Sequence, residues 1–221
     1  MGLNTLSIIS LNYNSRKQKL YFCRTMKADQ NDSTREEIIA AAKTVFERYG
    51  FLRVSMQDIS NECKKGRSTL YHYFKNKMEV VEASCHQIFS QCLEESKATI
   101  SKRRSFSANI ESFYEVKIKR LRELVLKYKL VFEDIRQDPS LLIMQSRIMS
   151  EDEILSWKLM ITWAMENKEI AELNEEDSQF LAETLQNVFK SIDQEIILFG
   201  RFPQIESKIT WLAQILHKGL M

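Results

Sequence analysis

The chain has 221 residues, 44% apolar and 28% charged, enough for one large domain or a small domain joined to a larger one. Only 5 Gly and 2 Pro are present, too few for the many turns of a β-rich fold, so long helices joined by few loops are expected. The net charge of +2 hides a segregation: residues 1–77 carry 14 basic against 7 acidic side chains, the rest 18 against 23, the footprint expected of one end that faces nucleic acid.

Residues 1–32 have no clear period and end in the polar cluster Asp29-Gln30-Asn31-Asp32, so they are expected to form a flexible extension. They lack the basic n-region and cleavage site of a signal peptide. Met26 is a candidate natural start; alternatively Arg16, Lys17, Lys19 and Arg24 form a basic arm that touches DNA phosphate. From Ser33 the signals sharpen. Ser33 and Glu36 form a capping box, Ile38, Ala42, Val45, Phe46 and Tyr49 follow at helical spacing, and Gly50 is the stop.

Ser55 with Asp58 opens a short helix that carries Ile59 and Cys63 inward. A break at Lys64-Lys65-Gly66 separates it from a second short run, Arg67 to Tyr73. Asn76 with Glu79 caps a longer helix through about residue 102. A helix about 107–136 should follow, then one opened by Asp138-Pro139, and one capped by Ser150 and Glu153 that runs to about Asn167. Asn174, followed by three acids, opens a helix to Phe199, stopped at Gly200, and Pro203 starts the last. The expected fold is all-α, about nine helices in all.

The informative segment is 55–77, SMQDISNECKKGRSTLYHYFKNK. Two short helices, held at a fixed angle by Ile59, Cys63, Leu70 and Phe74, would leave Arg67, Ser68, Thr69, Tyr71 and His72 on or near a face that fits the major groove. The string T-L-Y-H-Y-F-K-N-K, after a capped first helix and a short helix bearing D-I, resembles the TetR family of regulators over about residues 33–80. That resemblance implies an N-terminal three-helix DNA-binding domain (33–80) followed by a helical effector-binding and dimerisation domain (81–221). It implies phosphate contacts for Ser55 and Gln57, base contacts for Arg67 and Ser68, and phosphate or thymine-methyl contacts for Thr69 and Tyr71. His72 falls at the variable groove-facing position, and Lys77 would clamp phosphate. A fork from Arg67 to guanine is the base contact its chemistry suits best. Most members have a glycine, an aliphatic residue and a serine in the turn. Here stand Lys64, Lys65 and Gly66, so Gly66 would have to supply the permissive backbone, while the two lysines strengthen phosphate attraction.

One such motif covers half an operator, so a homodimer is expected. Leu181, Leu185, Val188, Ile192, Ile196 and Phe199 form one apolar stripe, and Ile205, Ile209, Leu212 and Leu216 another. The family arrangement would pair them in a four-helix bundle. Phe113, Tyr114, Phe132, Met144, Trp157, Met160 and Trp163 would line a pocket for an apolar or amphipathic effector, although the same residues would also serve as plain core.

No cofactor, metal or membrane partner is expected, and no apolar run approaches the ~18 residues of a membrane span. The common catalytic motifs are missing and only His72, His86 and His217 are present, which argues against an enzyme. Cys23, Cys63, Cys85 and Cys92 show no C-x-x-C spacing, so free thiols in a cytoplasmic setting are expected. Two rival readings are a helical adaptor without DNA binding and a redox or metal sensor using Cys85 and Cys92.

Overall fold

The computed structural model describes residues 33–138, 140–201 and 204–221, with side chains left aside for 140–150. The extension with its basic arm, Met26 and Cys23, the proline starts at 139 and 203, and the side chains of Met144 and Ser150 lie outside the described residues. Nine helices and no strand occur among those described: α1 Ser33–Tyr49, α2 Met56–Cys63, α3 Arg67–Tyr73, α4 Lys77–Lys97, α5 Phe106–Lys127, α6 Lys129–Gln137, α7 Ser140–Glu166, α8 Glu175–Phe199 and α9 Ile205–Leu220. The chain divides into two compact units, Met1–Glu37 and Ile38–Met221. The first contributes the opening residues of α1 to the description. The second holds everything that follows.

Side-chain caps fix the starts of α2, α4, α5 and α8. Ser55 and Asp58 form a reciprocal capping box on α2, Asn76 accepts from the Glu79 N–H at 3.0 Å, and Asn174 accepts from the Asp177 N–H at 2.8 Å. Gly50 and Gly200 end α1 and α8 with φ of +78° and +61°, a backbone that suits glycine. Two expectations fail. The run 107–136 is broken at Tyr128, where φ −104° and ψ 39° turn α5 into α6. The chain still hydrogen-bonds on both sides: Tyr128 N–H donates to Leu124 O and Tyr128 O accepts from Phe132 N. No helix begins at Ser150 either, because α7 runs unbroken from Ser140 and Glu153 faces the interior.

Three apolar clusters organise the Ile38–Met221 unit. Ile38, Val45, Phe46, Ile59, Leu70 and Phe74 knit α1 to α3. Phe106, Phe113, Tyr114, Trp157, Met160 and Phe189 fill the body, where α5 packs against α4, α7, α8 and α9. A smaller cluster of Leu121, Tyr128, Phe132, Ile135 and Ile197 surrounds the bend.

Candidate nucleic-acid interface and buried polar core

The left-handed position in the turn between α2 and α3 is not a glycine. Lys64 takes the left-handed backbone itself, φ 55° and ψ 33°, while Gly66, expected to provide it, is extended at φ −65° and ψ 150° and caps α3. A non-glycine residue there costs about 1–2 kcal/mol. Ser60, buried in α2, offsets it by donating its hydroxyl to Lys65 O at 2.6 Å and accepting Lys65 N–H at its carbonyl. The turn is thereby locked, and Leu70 and Phe74, both buried, press α3 onto Ile59 of α2. Cys63 is only half-buried.

With Leu70 facing in, Arg67, Ser68, Tyr71 and His72 are exposed together on two successive turns of α3. The Arg67 guanidinium stands 5.8 Å from the Tyr71 ring, a cation–π pair one turn apart that steadies both side chains. Thr69 and Lys65 are half-buried at the edge, and Lys64 and Gln57 are open. Gln57 donates to Asn61 Oδ1 at 2.8 Å. Asn61, exposed one turn further along α2, joins this polar surface, and its i+4 spacing from Gln57 is the only signal the sequence offered for it.

Two residues sit differently from their expected roles. The Ser55 hydroxyl donates to Asp58 Oδ2 at 2.6 Å and accepts the Asp58 N–H at 3.3 Å, so it is engaged in capping. The Ser55 hydroxyl and the Ser55 N–H, both donating to Asp58 Oδ2, hold that carboxyl below its ordinary range. Lys77 turns inward, donating to Phe51 O at 2.9 Å with its ammonium 4.3 Å from the Phe51 ring. Partial burial lowers its pKa, opposed by the nearby Asp134 carboxylate. It braces the end of α1 instead of reaching outward.

The comparisons with known proteins bear on this geometry directly. Residues 38–84, the capped helices and the α3 face just described, match the model of bacterial regulatory proteins of the tetR family. Over that segment the chain matches the TetR family. It is 27% identical over 181 residues, 80% of this chain and 94% of the relative, to an uncharacterised HTH-type transcriptional regulator of Haemophilus influenzae. A TetR-family regulator from Pectobacterium atrosepticum superposes with a TM-score of 0.60 at 21% identity, covering 94% of this chain and 98% of that one. SmeT, the repressor of the Stenotrophomonas maltophilia multidrug efflux pump SmeDEF, does so with a TM-score of 0.55 at 19% identity, covering 84% and 89%.

The segment that links α1 to α2 is gripped by one carboxylate. Asp134, on α6, accepts the N–H groups of Phe51 and Leu52 on the same oxygen, at 2.6 and 2.9 Å. A Cβ at Gly50 would lie 2.7 Å from that oxygen, so the close approach requires glycine as well as the positive φ does.

Of the residues expected to line an effector pocket, Phe113, Tyr114, Trp157 and Met160 are fully buried together. Phe132 belongs instead to the cluster at the bend, and Trp163 is half-buried. Tyr114 stacks on Phe189 at 4.2 Å between centroids, and Trp157 closes on Phe189 at 5.0 Å. Sequence reading missed what lies beneath these rings. Lys117, 5% exposed, donates to Glu153 Oε2 at 2.8 Å and Asp193 Oδ2 at 2.6 Å. Gln186 donates to the same Glu153 oxygen at 2.6 Å. The two carboxylates drive the Lys117 pKa up against its burial, while burial pushes the Asp193 carboxyl up to about 6 against the pull of Lys117. Among the described residues Tyr114 OH, Gln186 Oε1 and Asp193 Oδ1 are buried without a hydrogen-bond partner. The Trp157 indole approaches the tyrosine oxygen without reaching hydrogen-bond geometry. An orphaned group of this kind costs about 1–3 kcal/mol.

The apolar stripes of the last two helices need correction. Leu185, Ile196, Ile205 and Ile209 are buried within the chain, and Leu181, Ile192, Leu212 and Leu216 pack half-buried against the same core. Only Val188 and Phe199 of the expected set are open. The large apolar side chains that α8 and α9 expose are Phe180, Val188, Phe199, Trp211 and Ile215. Helical spacing located the stripes but assigned their wider, core-facing half to a partner.

Of the two cysteines considered as a redox or metal pair, one sits in surroundings that oppose that chemistry. Cys92 is buried, and that burial pushes its thiol up to about 12, which disfavours the thiolate a redox sensor or metal ligand needs. Among the described residues Cys63, Cys85 and Cys92 are not disulfide-bonded, no group of His, Cys, Asp and Glu could hold a metal, and no helix is long and apolar enough to cross a membrane.

Proposed function

We propose that this chain regulates transcription as a homodimer, each copy placing α3 in the major groove of one half of an inverted repeat, and that a small molecule bound in the body releases it. The observation that carries the reading is the exposed face of Arg67, Ser68, Tyr71 and His72 on a helix fixed from behind by Leu70 and Phe74. Arg67 and Ser68 address base edges, while Lys64, Lys65 and Gln57 address phosphate. The exposed Phe180, Val188, Phe199, Trp211 and Ile215 supply the dimer contact, since large apolar side chains open to solvent on the last two helices favour a partner over water. The buried aromatic body supplies the effector pocket, and Asp134 ties it to the reading head. Repression and residence in the cytoplasm complete the proposal.

Selection of bound fragments from the source genome, followed by footprinting, tests it. An inverted repeat protected on both half-sites is expected, with log affinity falling linearly as log salt rises and specific binding ~10³–10⁷ tighter than non-specific. Protein that ignores every duplex at low ionic strength would refute it.

A further inference from the structure

The polar group under the aromatic rings has properties that select a ligand. One lysine faces two carboxylates, Glu153 and Asp193, so the cluster carries one negative charge in excess. Asp193 is still mostly ionised at pH 7.5, although burial pushes it up to about 6. Of the three orphaned atoms, Gln186 Oε1 and Asp193 Oδ1 only accept hydrogen bonds, and the Tyr114 hydroxyl can accept as well as donate. Taken as whole residues all three are more than nine-tenths buried. Above them lie the flat faces of Tyr114, Trp157 and Phe189, with centroids 4.2–5.9 Å apart.

An anion would meet surplus negative charge and spare acceptors. A hydrocarbon would leave those acceptors unanswered. A cation bearing N–H groups on a flat apolar body answers both, because its donors match the acceptors and its charge is favoured by the carboxylates and by aromatic faces. We infer that the effector of this chain is an aromatic amine or amidinium cation, its N–H groups on Asp193 and Gln186 and its ring among Tyr114, Trp157 and Phe189. The inference rests on the small-molecule release proposed above and adds the charge and donor character of the ligand. The Tyr114–Phe189 stack must part to admit it.

Titration calorimetry at pH 7.5 on the full-length chain with three probes of one shape tests the inference: 2-naphthylmethylamine, 2-naphthylmethanol and 2-naphthylacetate. The amine should bind at least tenfold more tightly than the alcohol, and the acetate most weakly. Asp193→Asn should cut amine affinity about tenfold and leave the alcohol unchanged. Tyr114→Phe keeps the ring and the stack and removes one orphaned oxygen, so it tests the same point if Asp193→Asn does not fold; it should weaken the amine several-fold. An amine no tighter than the alcohol, variants that keep wild-type amine affinity, or no binding by any probe would overturn the inference. Operator binding measured without probe separates the two readings. Protein that binds DNA but discriminates against the amine loses only this inference, whereas protein that binds the amine but no DNA loses the proposed function.

Discussion

Gly50→Ala tests how the reading head is held to the body. The substitution forces an alanine into φ +78°, which costs about 1–2 kcal/mol. It also places a methyl group 2.7 Å from Asp134 Oδ2 and 3.3 Å from Leu130 Cβ, well inside ordinary contact. Asp134 must withdraw, and its oxygen is the shared acceptor for Phe51 and Leu52. Hydrogen bonds to a charged group contribute about 1.5–3 kcal/mol each. The lower end applies here, since Asp134 is half-buried and Leu52 is exposed, so a freed amide can turn to water. The combined loss is about 4–5 kcal/mol, which lowers Tm by roughly 8–20 °C at ~2–4 °C per kcal/mol for a chain of this size. Thermal and urea unfolding followed by circular dichroism measure it. Asp134→Asn, with similar shape and no charge, should cost less alone, and the double variant should fall short of the sum by about 0.5 kcal/mol or more because both changes remove the same hydrogen bonds. A Tm within 2 °C of wild type for Gly50→Ala, or strict additivity in the double variant, would refute this account of the joint.

Arg67→Ala should cost about 1–3 kcal/mol of operator affinity and relax preference at one base pair, read by competition against single-base operator variants. Ser55→Ala should lower stability by about 1 kcal/mol while leaving the salt slope of DNA binding unchanged, because the hydroxyl is committed to the α2 cap; a reduced slope would put it back on phosphate. Trp211→Asp, on the exposed face of α9, should give a monomer in sedimentation velocity and weaken operator binding by more than tenfold; a dimer of undiminished affinity would move the interface elsewhere. The raised Asp193 pKa makes the folded chain hold a proton that the unfolded chain has released. Its contribution to stability is therefore full below about pH 4 and is lost as pH rises through about 6, by at most about 3 kcal/mol. Lys117, Glu153, Tyr114 and Cys92 are the titratable groups facing it, and Asp193→Asn should flatten the stability–pH curve between pH 5 and 7.5; equal slopes in both proteins would contradict the assignment.

Caps and periodicity made most of the helix order legible. Asn76, Asn174, Gly50 and Gly200 each act through their own backbone neighbours, so the sequence alone reveals them. The bend at Tyr128 was illegible because no proline or glycine marks it. Ser150 and Glu153 have capping-box spacing, yet Glu153 points to Lys117, 36 residues away, and no local rule anticipates that partner. Lys117 itself reads as a surface lysine until its two carboxylates are brought to it by α7 and α8. The α3 face was legible because its inward anchor, Leu70, lies within the same short helix.

The bend at Tyr128 has one more consequence. A proline kink is fixed by covalent geometry, but this one keeps its backbone bonding on either side, so its angle is set by the side chains around it, Leu121, Phe132, Ile135 and Ile197 among them. Ile197 belongs to α8, the helix that also carries Gln186, Phe189 and Asp193. The angle of α6 thus rests on packing that it shares with α8, and α6 also carries Asp134, which holds the chain just after α1.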